Sequence, residues 1–535
     1  MAQDKLLYRN ESISLTPSAE RYNEFTFNTE SKMLSNYLSN PAFERVLALD
    51  STVVVKSYLA VNGAGAKLNG DYLLSEGNNF KNYSIDGFGV VKLKRYGTLY
   101  GHAQFSQGED KSISWNAIRY SDIYSPYIAT DSLGGDTSYD FYALKGGYAF
   151  NRDKWYYGVE MSFNGEQAHR MTDPRLLNIT SWVNAKLGVG YHTDQSTTLF
   201  SASYERNKQY QTMSYWRPGQ QERIFITNGF GLYDTQYSLV VMGYSRMYYM
   251  SRVDFNLIHK QKLGDNVSVS ASMGYNRYRV ATEETSVRNL YNATTKLYTP
   301  KFELNINGGI IDWIVYGEFN HQTRSGEENI YETYLSDEVN FVYDFRLIST
   351  RYNYSAKNSD LLLQIKPSLR PNLTSKISLL LGSYGANREE SYKTRDYLVQ
   401  NRWVEPHVGV GYDFNNKKHN ISTSLIYSQK YLLDGVYNVV NENATISYLD
   451  FQHAFAPYAF YSSEYDSFKL SVSYIRALSK MSIGTKIEGM FRNGQRNNDV
   501  VYTNDIGFES SASLISKTAD IYSENYGMLS LFVLF

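Results

Sequence analysis

The clearest order in this chain has a period of two. From Val267 the odd positions read Val267, Val269, Ala271, Met273 and Tyr275, while the even positions read Ser268, Ser270, Ser272, Gly274 and Asn276. Successive side chains of a strand point to opposite faces, so this stretch predicts a strand with one apolar face and one small, polar face. The phase inverts at Arg277-Tyr278, which marks a bulge or the exit from an apolar layer. Trp155, Tyr157, Val159, Met161 and Phe163 alternate in the same way with Gly158, Glu160, Ser162 and Asn164, as do Ile421, Thr423, Leu425 and Tyr427 with Ser422, Ser424 and Ser428. One hairpin is readable almost whole. Phe302, Leu304 and Ile306 run out, Gly308-Gly309 turns, and Ile311, Trp313, Val315 and Phe319 return, with Glu303, Asp312 and Glu318 on the other face.

Alternating segments of about 10 residues separated by turn residues are the pattern of a transmembrane barrel, although a half-buried soluble sheet shares it. The aromatics separate the two. Trp155 and Tyr157 open one apolar face, Tyr412 and Phe414 close another, and Tyr427 and Tyr431 close a third, as aromatic girdles at two membrane interfaces require. The polar faces carry Lys145, Glu160, Glu166, Lys186, Glu303, Asp312, Glu318 and Glu405, which a dry core would not tolerate and a wet lumen would. The predicted fold is therefore all-β, a transmembrane antiparallel β-barrel of about 18 strands (16 being the alternative), with short periplasmic turns and long external loops.

The count rests on eight short turns, near Arg95-Tyr96, Asn151-Arg152-Asp153, Thr193-Asp194-Gln195, Leu263-Gly264-Asp265, Gly308-Gly309, Pro371-Asn372, Asn415-Asn416 and Ser479-Lys480. Longer polar stretches lie between them at 109–137, 212–244, 325–342, 432–466 and 494–522. Residues 1–65 differ in texture and form a separate N-terminal segment, periplasmic or lumen-entering, ahead of a barrel over 66–535. Within it Leu34–Leu38 and Pro41–Val46 allow short helices.

Composition narrows the reading. The 535 residues include 50 Tyr, 26 Phe and no Cys, which excludes disulfides, thiolate metal sites and a Cys nucleophile. Lys+Arg (53) and Asp+Glu (54) cancel, so there is no footprint for nucleic acid. No run of about 20 apolar residues is present for a spanning helix. The start, Met1-Ala2-Gln3-Asp4-Lys5, shows no secretory leader and fits a mature terminus with an added Met, so it gives no address. The end places Leu529, Leu531, Val533 and Phe535 at alternate positions, and the terminal Phe535 is similar to the signal read by the outer-membrane assembly machinery.

Two local motifs are familiar. Trp115-Asn116 followed by Ser125-Pro126-Tyr127-Ile128-Ala129-Thr130-Asp131-Ser132-Leu133-Gly134-Gly135-Asp136, and Thr172-Asp173-Pro174-Arg175, resemble a family of uncharacterised outer-membrane β-barrels of Bacteroidota. The resemblance covers about Gly70 to the end. It departs at Leu176, where that family usually has a second Pro. It implies an outer-membrane location and genes lying near those for nutrient transporters and surface lipoproteins, and it brings no functional residue.

Chemistry is sparse. None of the eight His lies two to four residues from another, there is no Gly-x-Ser-x-Gly elbow, and Gly63-Ala64-Gly65-Ala66 lacks the Lys-Ser/Thr of a phosphate cradle. His192 and His407 project to the polar face. No catalytic, metal or cofactor site is expected, nor an enzyme. Tyr215, Trp216 and Arg217, in a predicted external loop, and Met247-Tyr248-Tyr249-Met250 beyond it, are either a binding surface or the packing of a tall barrel wall. Expected partners are outer-membrane lipids, the assembly machinery, and a nutrient transporter or surface lipoproteins. Two functions follow: a channel or uptake-associated barrel for small polar solutes, or a plugged accessory subunit of such a complex. An open lumen favours the first and a filled one the second, so residues 1–65 and 112–137 decide between them.

Overall fold

The computed structural model describes residues 5–7, 33–49, 53–55, 57–70, 72–93, 96–216, 223–230, 233–238, 244–284, 289–337, 342–416, 418–438, 457–495 and 521–535. Eighteen long antiparallel strands close into a barrel. In chain order they are β1 (Tyr58–Asn69), β2 (Asn79–Leu93), β3 (Gly97–Ile113), β4 (Gly135–Arg152), β5 (Trp155–Arg170), β6 (Arg175–His192), β7 (Ser196–Ser214), β8 (Tyr244–Lys262) and β9 (Val267–Glu284). Then follow β10 (Tyr291–Asn307), β11 (Ile311–Asp337), β12 (Tyr354–Asn372), β13 (Ser375–Tyr392), β14 (Tyr397–Asn415), β15 (His419–Asn438), β16 (Glu464–Ala477), β17 (Ser482–Gln495) and β18 (Ile521–Leu534). Each pairs with the next, and β18 pairs with β1 in the register Leu534↔Tyr58 to close the ring. Eighteen, not sixteen, is thus the strand number.

The short turns fall where Asp153, Thr193-Asp194-Gln195, Gly264, Gly308-Gly309, Leu373-Thr374, Asn416 and Ser479-Lys480 stand; Arg95 lies outside the described residues. In the turn after β10, Gly308 N–H donates to Ile311 O (3.1 Å) and Gly309 takes φ 78°, which favours glycine. The stretch 325–342, read as a loop, is largely wall: β11 runs on to Asp337 and pairs with the extra strand Val342–Arg351, from Glu328↔Arg351 to Asp337↔Val342. Above the membrane a strand needs no apolar outer face, so its alternation ceases while its hydrogen bonds continue. The outward apolar run of β9 likewise ends at Arg277-Tyr278. Pairing through it is unbroken on both sides, so it is an exit from the apolar layer and not a bulge.

The outer face is an exposed apolar band. Leu144, Met161, Leu187, Leu257, Leu363, Val410, Leu470 and Leu531 all point outward, a surface that no water-soluble protein maintains. Aromatic pairs flank it, Trp155–Tyr191 (5.2 Å between ring centroids) near the short turns and Phe105–Tyr142 (5.1 Å) toward the long loops. This is the exterior of a membrane-spanning barrel. None of the described helices is long and apolar enough to cross a membrane, which has no bearing on strands.

Candidate functional site

The inner wall is polar and carries both signs of charge. Lys145, Glu160, Glu166, Lys186, Glu303, Asp312, Glu318 and Glu405 all sit on it, alternating with outward residues such as Leu144, Val159, Leu187, Phe302, Trp313 and Phe319. They are not one cluster. Glu318 pairs with Lys301 (3.1 Å) and Asp312 with Arg370 (2.5 Å), while Glu405 accepts from Ser428 (2.6 Å) and Tyr465 (2.8 Å). Glu160, Glu166, Lys186 and Glu303 instead reach towards chain that fills the lumen or line the wall beside it.

The first filling is the connection between β3 and β4. It enters the barrel, forms a short helix (Ser121–Tyr124), and adds a two-residue strand, Ala129–Thr130, to a three-stranded sheet with Arg223–Thr227 and Tyr233–Ser238 from the β7–β8 connection. Buried cations fasten it. Arg119 Nη1 donates to Asp110 Oδ2 (2.7 Å) and its Nε to Glu166 Oε1 (2.7 Å), while Tyr120 OH donates to Glu166 Oε2 (2.8 Å). Burial disfavours the Arg119 charge, but the Glu166 and Asp110 carboxylates outweigh it and hold the guanidinium protonated well above its ordinary range. Burial and Glu166 likewise push the Tyr120 phenol well up, so it stays a donor. Arg324 Nη2 on β11 donates to Asp122 O (2.5 Å), and Tyr127 OH reaches Glu328 (3.2 Å). On β7, Gln211 donates to Ala117 O (2.7 Å) and Ala129 O (3.1 Å). One insert therefore ties β3, β5, β7 and β11 together.

Its apolar side explains the inverted phase. Ile118, Tyr124 and Ile128 pack on Tyr248, Met250, Tyr278 and Val280, which are inward positions. Met247-Tyr248-Tyr249-Met250 is therefore wall packing and no free surface at Tyr248 and Met250, both 0% exposed. Sequence reasoning did not single out Arg119, Asp110, Arg170 or Arg324, and it quoted Asp131 only as part of the motif over 125–136. The one signal for them was that inversion, which says that something apolar lies inside.

The two familiar motifs meet. Asp131 takes Arg170 Nη2 (2.6 Å) and the backbone of Leu133 (3.1 Å) and Gly134 (2.9 Å), and the same Arg170 nitrogen donates to Pro174 O (2.8 Å). Asp173 accepts from Trp216 N–H (3.3 Å), and the Arg175 guanidinium lies 4.6 Å from the centre of the Trp216 ring. The result is a rim patch on which Trp216, Met171 and Leu133 stay exposed. Arg217 lies outside the described residues.

The second filling is the N-terminal segment. It enters the barrel near the short turns as two short helices, α1 (Leu34–Leu38) and α2 (Phe43–Leu49). Three of its bonds are between neutral groups, and four engage Glu303, Lys186 or Arg45. Met33 N–H donates to Glu303 (3.2 Å), Asn36 to Ser272 (3.2 Å), Tyr37 OH to Ser270 (2.9 Å) and Asn40 to Phe200 O (3.0 Å). Lys186 donates to Ser39 O (3.3 Å), and Arg45 reaches Asn151 (2.9 Å) and Gly97 O (3.2 Å). Burial, with Glu303 nearby, pushes the Tyr37 phenol up to about 12. β1 begins at Tyr58, inside the stretch 1–65 that the sequence set apart.

His192 and His407 stand eight strands apart and bond locally, to Thr197 (2.8 Å) and Gln364 (2.8 Å). Among the described residues no group of three or more His, Asp or Glu is placed to hold a metal ion. Phe535 N–H donates to Ser57 O (2.9 Å), beside the seam.

Residues 48–514 match the model of a family described as a family of unknown function (DUF6850). No curated protein matches the chain. Among solved structures it is similar to the siderophore receptor PiuA from Acinetobacter baumannii (9% identity, 90% of this chain and 83% of that chain, TM-score 0.39). It is also similar to the FrpB iron transporter from Neisseria meningitidis (8% identity, 92% and 83%, TM-score 0.39) and to a Pseudomonas aeruginosa FadL homologue (13% identity, 94% and 93%, TM-score 0.33).

Proposed function

The chain belongs to this family of unknown function (DUF6850), and on that premise we propose that it is an outer-membrane barrel that passes small polar solutes through a lumen kept shut at rest. The observation that carries this reading is the pairing of an apolar exterior with a polar interior that the chain itself fills. An 18-strand ring encloses more than its own side chains can fill, so without such filling it is an open aqueous pore. Lys and Glu share the wall, which favours small neutral or zwitterionic solutes over ions of one sign. The test is single-channel recording of the purified barrel in planar bilayers. Rare, brief openings are expected, and complete silence at every voltage and solute gradient would sink the reading.

The filled lumen itself favours, by the criterion set out above, a second reading, a plugged accessory subunit docked to a transporter or surface lipoprotein, and the exposed Trp216, Met171 and Leu133 at the rim add to it. Affinity isolation in mild detergent separates the two, since repeated recovery of the barrel alone counts against it.

A further inference from the structure

Two adjacent wall glycines mark where the N-terminal segment sits. Gly158 on β5 and Gly188 on β6 are direct register partners and face inward. A Cβ built on Gly158 would lie 2.3 Å from the Pro41 carbonyl carbon and 2.4 Å from Ala42 N. One on Gly188 would lie 2.3 Å from Asn40 Oδ1 and 2.9 Å from the Pro41 ring. Side chains at both positions would thus collide with the segment that joins α1 to α2. Neither glycine takes a positive φ here, so the backbone does not demand them; the room they leave is what Asn40, Pro41 and Ala42 occupy. The wall carries a fitted notch for this segment.

We propose that residues 33–45 form the movable gate of the lumen, latched in the Gly158/Gly188 notch, while the 114–134 insert stays in place. This rests on the conduit reading above. The gate's bonds suit the task. Those to Ser270, Ser272 and Phe200 O are neutral, and each is exchangeable for water at little net cost, while the charged Glu303, Lys186 and Arg45 bond to backbone and amide groups across the same boundary. The insert's Arg119 cannot leave without stranding two buried carboxylates. The segment also enters from the short-turn end, where Arg45 meets Gly97 O and Asn151, so it can withdraw the way it came.

The chain has no Cys, so an introduced pair reacts alone. The full-length Asn36→Cys/Ser272→Cys barrel, bridged by oxidation or a short bis-maleimide, is recorded in planar bilayers before and after bridging. Bridging is expected to abolish openings, and reduction of the disulfide to restore them. Gly158→Leu and Gly188→Leu are expected to raise open probability about tenfold, an effect the size of one to two lost hydrogen bonds. Tyr37→Phe and Asn40→Ala, which leave the wall untouched, are expected to act in the same direction should a glycine variant fail to fold. Openings that persist unchanged in the bridged barrel would overturn the gate and leave the conduit standing. The converse is read with a water-soluble maleimide on the single Ser272→Cys variant. Faster labelling when Gly188→Leu is added, with no conductance, would show a gate that moves in a barrel that conducts nothing, so the conduit reading would fall instead. No acceleration of labelling by either glycine variant would also overturn the gate.

Discussion

The insert and the N-terminal segment fill the same lumen by opposite means. The insert carries Arg119 between Asp110 and Glu166, and receives Arg170 at Asp131 and Arg324 at its helix carbonyls. The N-terminal segment offers a phenol, two amides, the Arg45 guanidinium and backbone groups to serines, carbonyls, an amide, one glutamate and Lys186. Buried guanidinium–carboxylate pairs fix one, and a notch of two glycines seats the other. A buried ion pair adds little stability when made but costs much when broken, so it suits a part that must not move. Neutral bonds over a shaped notch cost little to break or remake, which suits a part that must move.

The comparison breaks most sharply at Arg119. Arg119→Ala strands two buried carboxylates, and a loss of about 3–5 kcal/mol is expected, read as a lowered midpoint for heat or urea unfolding of the folded band on gels. Unchanged unfolding would mean that the insert is not what the barrel leans on. Gly188→Leu comes next. It should leave the barrel midpoint within about 1 kcal/mol yet expose the N-terminal segment to added protease, because the clash falls on Asn40 and Pro41 and not on the sheet. Protection equal to wild type would show that the notch does not seat the segment. Tyr37→Phe deletes one bond to Ser270 and should shift protease protection by about 1 kcal/mol. The same bond sharpens the contrast with pH. The Tyr37 phenol is raised from 10.0 to about 12, so seating holds at and below pH 10 and weakens as pH climbs through about 12. Trp216→Ala is the smallest. It loses the Arg175 contact at the exposed rim, about 0.5–1 kcal/mol at most, and should leave gating and barrel stability alone while abolishing any partner recovered by affinity isolation.

What was legible in the sequence is what repeats locally. The turns at Gly308-Gly309 and Thr193-Asp194-Gln195, the alternation around Met161 and Met273, and the helix at Leu34–Leu38 follow from neighbours two to four residues apart. The placement of Glu166 and Glu303 on a polar face was readable for the same reason. What each meets was not, because Glu166 bonds a residue 47 positions away and Glu303 one 270 away. The ring brings such residues together across its width, and no period records that. Strand ends were misjudged at 325–342 because hydrophobic alternation reports the membrane, while pairing continues above it. The inversion at Arg277-Tyr278 was visible, and its cause, an apolar insert against Tyr278 and Val280, was not.

The closing seam has a consequence for the order of assembly. β18 pairs with β17 on one side and β1 on the other, so its pairing with β1 is the contact that closes the ring. Until it forms the sheet is an open trough, with β3, β5, β7 and β11 already available to receive Arg119, Tyr120 and Ala117 from the side. Once the ring shuts, the insert, tethered at both ends to β3 and β4, would have to be threaded in from one mouth with its cations bare. Loading the insert therefore precedes closure. A chain truncated before Ile521 should already hold its interior in place while still lacking an inside.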